Sequence, residues 1–367
     1  MSRKKENISR SQDAVLTIGC QFRPVRGGIA QVLAAYESFI FDGRMKFVAN
    51  SSSDGSLLYK LVIAGFSLLK MIVYIVVDRD IKIIHIHSAS GNSFRRSAFF
   101  VQIAKIMGCK VILHMHGGGF KRYAYRKKAY VYKVLSKCDM IIALSESWRK
   151  YFVEDLCMPQ VKVIPNIIEE PIIEEPLEDK EKKNTNDGIV RVLFLGAITS
   201  QKGIFDLLEA VYLCRQELSG VFKLTIGGIG EESKLFEKIS QYGIEHLVDY
   251  VGWVYGREKQ HLLTSSDIFV LPSYIEGFPI SLLEAMSYSL PILSTRVGGI
   301  PEIVDESNGI LIEPGDVQAL SHSLLFLVKN TFIRNKMGRE GNNKVHDFYP
   351  NEVRIKIETM YKDILSS

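Results

Sequence analysis

Short apolar runs rich in β-branched residues recur along the chain, each followed by a segment whose apolar residues have helical spacing. The first set reads AVLTIG, IKIIHIH, KVILHMH, DMIIAL and VKVIP. After residue 188 a second set begins with VRVLFLG and continues with FKLTIGG, DYVGWV, DIFVLPS and PILST. Runs this short and this uniformly apolar are strands covered on both faces. Alternation with helices makes the connections crossovers, which place successive strands parallel. The two sets are separated by EEPIIEEPLEDKEKKNTND, rich in proline and charge with little to bury, and this reads as a linker. The expected class is therefore α/β: two Rossmann-like domains whose parallel sheets face each other across a cleft. The expected boundaries are 1–168 for the first domain, 169–188 for the linker and 189–345 for the second domain. Residues 346–367 hold an amphipathic helix free to pack on either domain, including back across the first. Ligands of such sheets sit beyond the carboxyl ends of the strands, so the cleft is the expected site.

Composition narrows the class. The chain has 367 residues, 47% apolar and 24% charged, which suits a folded soluble protein of two cores. Its five cysteines form no CxxC pair and are odd in number, which fits a reducing cytoplasm better than a disulfide framework. A basic start is followed only by the short apolar piece Ala14 to Ile18, too short for a signal-peptide core. The stretch 57–77, LLYKLVIAGFSLLKMIVYIVV, approaches spanning length, but Lys60 and Lys70 interrupt it. A charge near the centre of a span costs about 2.5–3.5 kcal/mol, so a buried or membrane-facing helix is expected there.

Charge is divided unevenly. Residues 1–168 hold 26 Lys+Arg and 11 Asp+Glu, a balance of +15, and the remainder holds 20 and 30, a balance of −10. One half is therefore suited to an anionic partner. From Gly117 to Cys138 there are seven basic residues, no acid and five Tyr/Phe. The patch built from Lys121, Arg122, Arg126, Lys127 and Lys128 suits an anionic lipid surface. No nucleic-acid recognition module appears, and nucleic acid is not an expected partner.

The stretch YIEGFPISLLEAMSYSLPILST carries the chemistry. Glu276 and Glu284 flank Gly277, Phe278 and Pro279, with the strand DIFVLPS before them and a helix after them. Pro279 is expected at the first helical position, where its missing N–H costs nothing. The amides of Ile280, Ser281 and Leu282 would then face an anion beyond the strand end. A phosphate at these amides beside two carboxylates points to a ligand that also carries hydroxyls, and a nucleotide sugar has both features. Carboxylates also favour a helix start electrostatically without any ligand.

The surrounding residues resemble glycosyltransferase family 4, retaining enzymes of the GT-B fold, over nearly the whole chain and most strongly from Val192 to Pro314. The Glu-x7-Glu motif is matched by Glu276 and Glu284. PILSTRVGGIPEIV and NGILIEPGD follow it, and GGIGEE and VGWV match two nucleotide-side loops. The resemblance implies that Glu276 approaches the donor sugar and its phosphate and that Glu284 binds the ribose hydroxyls. In FLGAITSQKG, Gly196, Lys202 and Gly203 match the family pattern, with Lys202 on the leaving diphosphate. Ala197 stands where the family has arginine, with Arg257 and Arg122 as replacements by composition alone. Gly27 and Gly28, after Arg26, match the family's glycine-rich loop; Gly28 is assigned to the donor and Gly27 to the acceptor side. In HMHGGGF, His116 matches a histidine near the donor sugar.

His85, His87, His114 and His116 lie on neighbouring strands. No acidic or cysteine partner accompanies them at metal-ligand spacing, so they are expected to be structural and no metal is assigned. The triplet Asp78-Arg79-Asp80 precedes its strand and reads as a solvated turn. No cofactor is required on this reading. The implied partners are a nucleoside-diphosphate sugar donor and a glycan or lipid-linked acceptor. The implied place is the inner face of the cell membrane, in surface polysaccharide or lipopolysaccharide synthesis. A GT-B-like sugar-nucleotide epimerase and a non-catalytic nucleotide-sugar-binding scaffold are the competing expectations.

Overall fold

The first apolar run is buried almost from end to end. It forms strand β1 (Val15–Cys20), in which Val15, Leu16, Thr17 and Ile18 have no exposed surface. The computed structural model describes residues 11–25, 27–51, 57–171 and 188–367, apart from the side chains of 57–61. Arg26 and most of the expected linker lie outside these residues. The described chain divides into two compact units, one taking the residues up to Ile168 together with Phe348–Ser367, the other Glu169–Asp347.

In the first unit β1 is followed by helix α1 (Gly28–Ala35), β2 (Lys46–Ser51), α2 (Leu57–Val77), β3 (Ile83–Ser88), α3 (Asn92–Ile106), β4 (Lys110–Met115), α4 (Phe120–Arg126), α5 (Lys128–Leu135), β5 (Met140–Ala143) and β6 (Val161–Val163). The six strands form one parallel sheet in the order β2-β1-β3-β4-β5-β6. Chain order reverses between β1 and β3, the switch point beyond which ligands of such sheets bind.

The second unit contains β7 (Val190–Leu195), α6 (Ile204–Leu213), β8 (Phe222–Gly227), β9 (Val248–Gly252), α7 (Arg257–Ser265), β10 (Ile268–Leu271), α8 (Ile280–Ser287), β11 (Ile292–Thr295) and β12 (Gly309–Ile312). These strands form a second parallel sheet, β12-β11-β10-β7-β8-β9, with its switch point between β7 and β10.

The last helix, α9 (Pro350–Ser366), starts on Pro350 as expected of proline in a first turn. It packs on the first unit. Arg354 donates to both carboxylate oxygens of Asp42 at 2.9 and 3.1 Å. Glu358 accepts from Gln12 at 2.7 Å, and the Tyr361 hydroxyl lies 2.7 Å from His85 Nδ1.

The first sheet has two unlike faces, because side chains alternate along a strand. One face is apolar: Leu16, Ile18, Ile84, Ile86, Leu113 and Met115 join Phe94, Phe100 and Phe120 in a continuous core. The other carries Thr17, His85, His87 and His114, fully or almost fully buried beside Tyr36 and Tyr361.

Helix α2 is half-wrapped. Met71 is buried, and Leu68, Tyr74 and Ile75 pack on the core. Val62, Phe66, Leu69, Val73, Val76 and Val77 remain exposed. No helix among the described residues is long and apolar enough to cross a membrane. Asp78 of the DxD triplet sits in the turn before β3, paired with Lys46 at 2.6 Å.

Candidate active site

In the second unit three loops converge beyond the carboxyl ends of β7, β10 and β11, next to the switch point. The loop after β10 carries Glu276, only 8% exposed. Its Oε1 accepts from Ser273 Oγ at 2.7 Å and from Lys202 Nζ at 2.6 Å. Lys202 closes a short 3-10 turn after β7, and Gly203 follows in the left-handed region at φ 68°. A Cβ on Gly203 would stand 1.9 Å from the carbonyl oxygen of Pro272. The lysine loop thus reaches the end of β10 only because residue 203 has no side chain.

The loop after β11 repeats the device. Gly298 has φ 57°, and a Cβ there would meet the Glu276 carbonyl oxygen at 2.1 Å. The Gly299 amide donates to the Gly277 carbonyl at 2.9 Å, and Thr295 Oγ1 donates to the Ser273 carbonyl at 2.5 Å. Glu276 is held through its backbone, by a close neighbour on each side, and through its carboxylate. Gly196 lies at the same edge, its amide donating to Gly227 at 3.0 Å.

Helix α8 begins one residue later than expected. Pro279 has φ −72° but ψ 121°, an extended conformation, and is the N-cap; Ile280 is the first helical residue. Proline fixes φ and leaves ψ free, so the helix turn starts with its neighbour. The first-turn amides of Ile280, Ser281 and Leu282 have no helical carbonyl to bond, by their position. Phe278 is buried beside them. The helix ends at Ser287 rather than running on to Ser289, whose φ of 57° is left-handed.

Glu284, in the second turn of α8, is met by Lys259 of α7 at 2.5 Å. Neither Lys259 nor Ser273 was among the sequence-level site residues. The sequence signal for Lys259 was weak: one lysine in YGREKQ, nine residues before β10. Ala197 is exposed in its loop, and Arg257 opens α7, also exposed. The cation that the fold brings to Glu284 is Lys259, as Lys202 is the one brought to Glu276. Arg122 sits exposed on α4 of the first unit.

In the first unit Gly27, φ 88°, is the N-cap of α1, and Gly28 is its first residue. Lys121, Arg122, Arg126, Lys127 and Lys128 are all exposed on α4 and α5 and between them. Lys121 lies over the rings of Trp148 and Tyr151, 5.3 and 5.0 Å from their centroids. His116 follows β4. Its ring stacks on His87 with centroids 5.1 Å apart, and its Nε2 lies 3.0 Å from His87 Nδ1. Burial pushes His116 down to about 3, partly offset by a hydrogen bond with Asn166, so its imidazole is neutral near pH 7.

Two family models match consecutive parts of the chain, Glycosyltransferase Family 4 over residues 41–170 and Glycosyl transferases group 1 over 176–344. The chain belongs to glycosyltransferase family 4. Among similar proteins, the amylovoran biosynthesis glycosyltransferase AmsK of Erwinia amylovora is 30% identical over 234 residues, 61% of this chain and 56% of that protein. The putative colanic acid biosynthesis glycosyltransferase WcaL of Escherichia coli is 34% identical over 145 residues, 37% of this chain and 35% of that protein. The matches thus span about half or less of these relatives' length. The fold is supported separately by solved structures. Sucrose-phosphate synthase from Thermosynechococcus elongatus superposes with a TM-score of 0.80 at 16% identity, covering 96% of this chain and 99% of that one. HepE of Anabaena in complex with UDP gives 0.74 at 15% identity, covering 95% and 99%. At such identities the likeness shows the GT-B fold of two Rossmann-like units.

Proposed function

We propose that this chain is a retaining glycosyltransferase of bacterial surface polysaccharide synthesis, moving a sugar from a nucleoside diphosphate to the hydroxyl of a glycan or lipid-linked acceptor. The observation that carries the reading is the Lys202–Glu276 pair at the switch point, with Glu276 buried, Lys202 partly exposed, and close glycine approaches at residues 203 and 298 on either side of the loop after β10. A diphosphate there would replace one carboxylate as the lysine's partner, and the first-turn amides of α8 would take a second phosphate oxygen. As the sugar–phosphate bond breaks, charge grows on the leaving oxygen, and fixed donors of this kind stabilise that charge without reorganising. No protein nucleophile is required. Glu284, already accepting from Lys259, would accept from the ribose hydroxyls. Relatives are named for amylovoran and colanic acid synthesis, and HepE has been solved with UDP and with UDP-glucose, which supports a nucleotide-sugar donor.

The first unit would face the acceptor and an anionic membrane on the cytoplasmic side. The exposed basic residues of α4 and α5 support this reading, and so does the apolar stripe from Val62 to Val77 on α2, which belongs in the interface more than in water.

The test is incubation of the protein with a panel of nucleotide sugars and lipid-linked acceptors, with product analysis. Wild type should release nucleoside diphosphate and extend an acceptor. Glu276→Ala should lose that turnover, whereas Glu284→Ala should weaken donor binding by about 10–100-fold, the worth of a hydrogen bond to a charged group. Isomerised donor without acceptor would indicate an epimerase. Donor binding with no turnover on any acceptor would indicate a scaffold.

A further inference from the structure

The buried histidine face of the first sheet carries a second inference, independent of the reading above. Three imidazoles are aligned by register: His87 on β3 stands opposite His114 on β4, and His85 lies two residues before His87 on the same face. Their ring centroids are 4.5 Å (His85–His87), 4.9 Å (His87–His114) and 5.5 Å (His85–His114) apart. Each offers a ring nitrogen within 4.8 Å of the others. All three side chains are at most 2% exposed.

What these nitrogens lack is more telling than what they have. His85 Nδ1 is bonded to the Tyr361 hydroxyl at 2.7 Å, and His87 Nδ1 to His116 Nε2 at 3.0 Å. His85 Nε2, His87 Nε2 and both nitrogens of His114 are buried with no hydrogen-bond partner among the described residues. Leaving one such group unmade costs about 1–3 kcal/mol, and native interiors hold few of them. Four on three touching rings is a concentration that packing alone does not explain.

We propose that His85, His87 and His114 bind a divalent transition-metal ion of the zinc type. Three neutral imidazoles are a known donor set for zinc, with nitrogens at about 2.0–2.1 Å from the ion. That geometry needs the nitrogens about 3.3 Å apart, so binding draws the three rings together by rotation about their side chains. The outer contacts are those a ligating histidine uses: the nitrogen turned away from the ion is fixed by an oxygen or nitrogen partner. Tyr361 serves His85 in this way, and His116 serves His87. A water in the fourth position that sheds its proton reduces the charge introduced. The Tyr36 hydroxyl, likewise buried without a partner, belongs to the same face. The expectation of purely structural histidines rested on the lack of an acidic or cysteine ligand at metal spacing. The fold supplies a third imidazole from the neighbouring strand instead.

The experiment uses the full chain, purified, stripped with chelator, reloaded with zinc and desalted. Elemental analysis should find one zinc per chain, and loading should raise the melting temperature. Cobalt(II) loading should give the intense visible bands of a tetrahedral nitrogen site. His114→Gln should lose both metal and bands, while a change at the exposed His322 should keep them. Tyr361→Phe should weaken zinc binding by about 10–100-fold, the usual cost of removing an outer-shell partner. Wild type that retains no zinc and shows no tetrahedral cobalt spectrum overturns the proposal, as does a His114→Gln protein that keeps both. If His114→Gln fails to fold, the wild-type cobalt spectrum decides alone.

Discussion

The two sheets bury polar side chains by opposite means. In the second unit the carboxylates of the candidate site are ionic and matched: Glu276 accepts from Lys202 and Ser273, and Glu284 from Lys259. On the histidine face of the first unit the polar groups are uncharged, and among the described residues four ring nitrogens of His85, His87 and His114 have no hydrogen-bond partner. A buried charge without a counter-charge is too costly to keep, whereas a neutral imidazole can stay unsatisfied at a few kcal/mol. The first arrangement holds each carboxylate against a cation. The second keeps lone pairs open.

The largest effect should come from breaking the matched pair. On the proposed function, Lys202→Ala removes the cation from the leaving diphosphate and leaves Glu276 buried without it; turnover should fall by about 10²–10³-fold, the usual loss for one electrostatic donor, read from initial rates at saturating donor. Turnover within a few-fold of wild type would break the contrast from the side of the second unit.

The next effect sharpens it from the first unit. In metal-stripped protein, His114→Leu replaces an unpartnered polar ring by an apolar side chain, and should raise the free energy of unfolding by about 1–2 kcal/mol in urea titration. With zinc present the order should reverse, wild type becoming the more stable. A destabilised leucine variant in stripped protein would mean that the imidazole has partners in solution.

The smallest effect concerns a matched carboxylate outside the site. Asp305 is drawn down to about 2 by hydrogen bonds from Lys344 and from Ser307. Its folded value lies below the unfolded value of about 3.9, so its contribution is present above that value and disappears as pH falls toward 2. Wild type and Asp305→Asn should differ near neutral pH and converge in acid, followed by urea midpoints across that window.

Most strands legible in the sequence are interior ones; β6 and β9, read from VKVIP and DYVGWV, are edge strands with little full burial that still show β-branched or apolar runs. The strands β2 and β12 are missing from the apolar runs, and each is an edge strand. KFVANS buries only two of its six residues fully, and GILI only its two ends, so neither shows a continuous apolar run. The catalytic-side motif was legible because Glu276, Glu284, Gly203 and Lys202 lie in short stretches with fixed spacing. Lys259 and Gly298 were not legible as site residues, since each acts through a neighbour distant in sequence. The histidine face was half legible. Alternation along β3 and β4 put the rings on one side, but the pairing of His87 with His114 follows from inter-strand register, which one strand's sequence does not state.

Helix α9 belongs to the first unit although the whole second unit precedes it in the chain. A ribosome therefore finishes and releases the second unit's residues before the piece that covers His85 exists. Until then Tyr361 is absent, and His85 lacks the hydroxyl that holds its Nδ1. The outer partner of His85 is thus the last piece of the histidine face to be put in place.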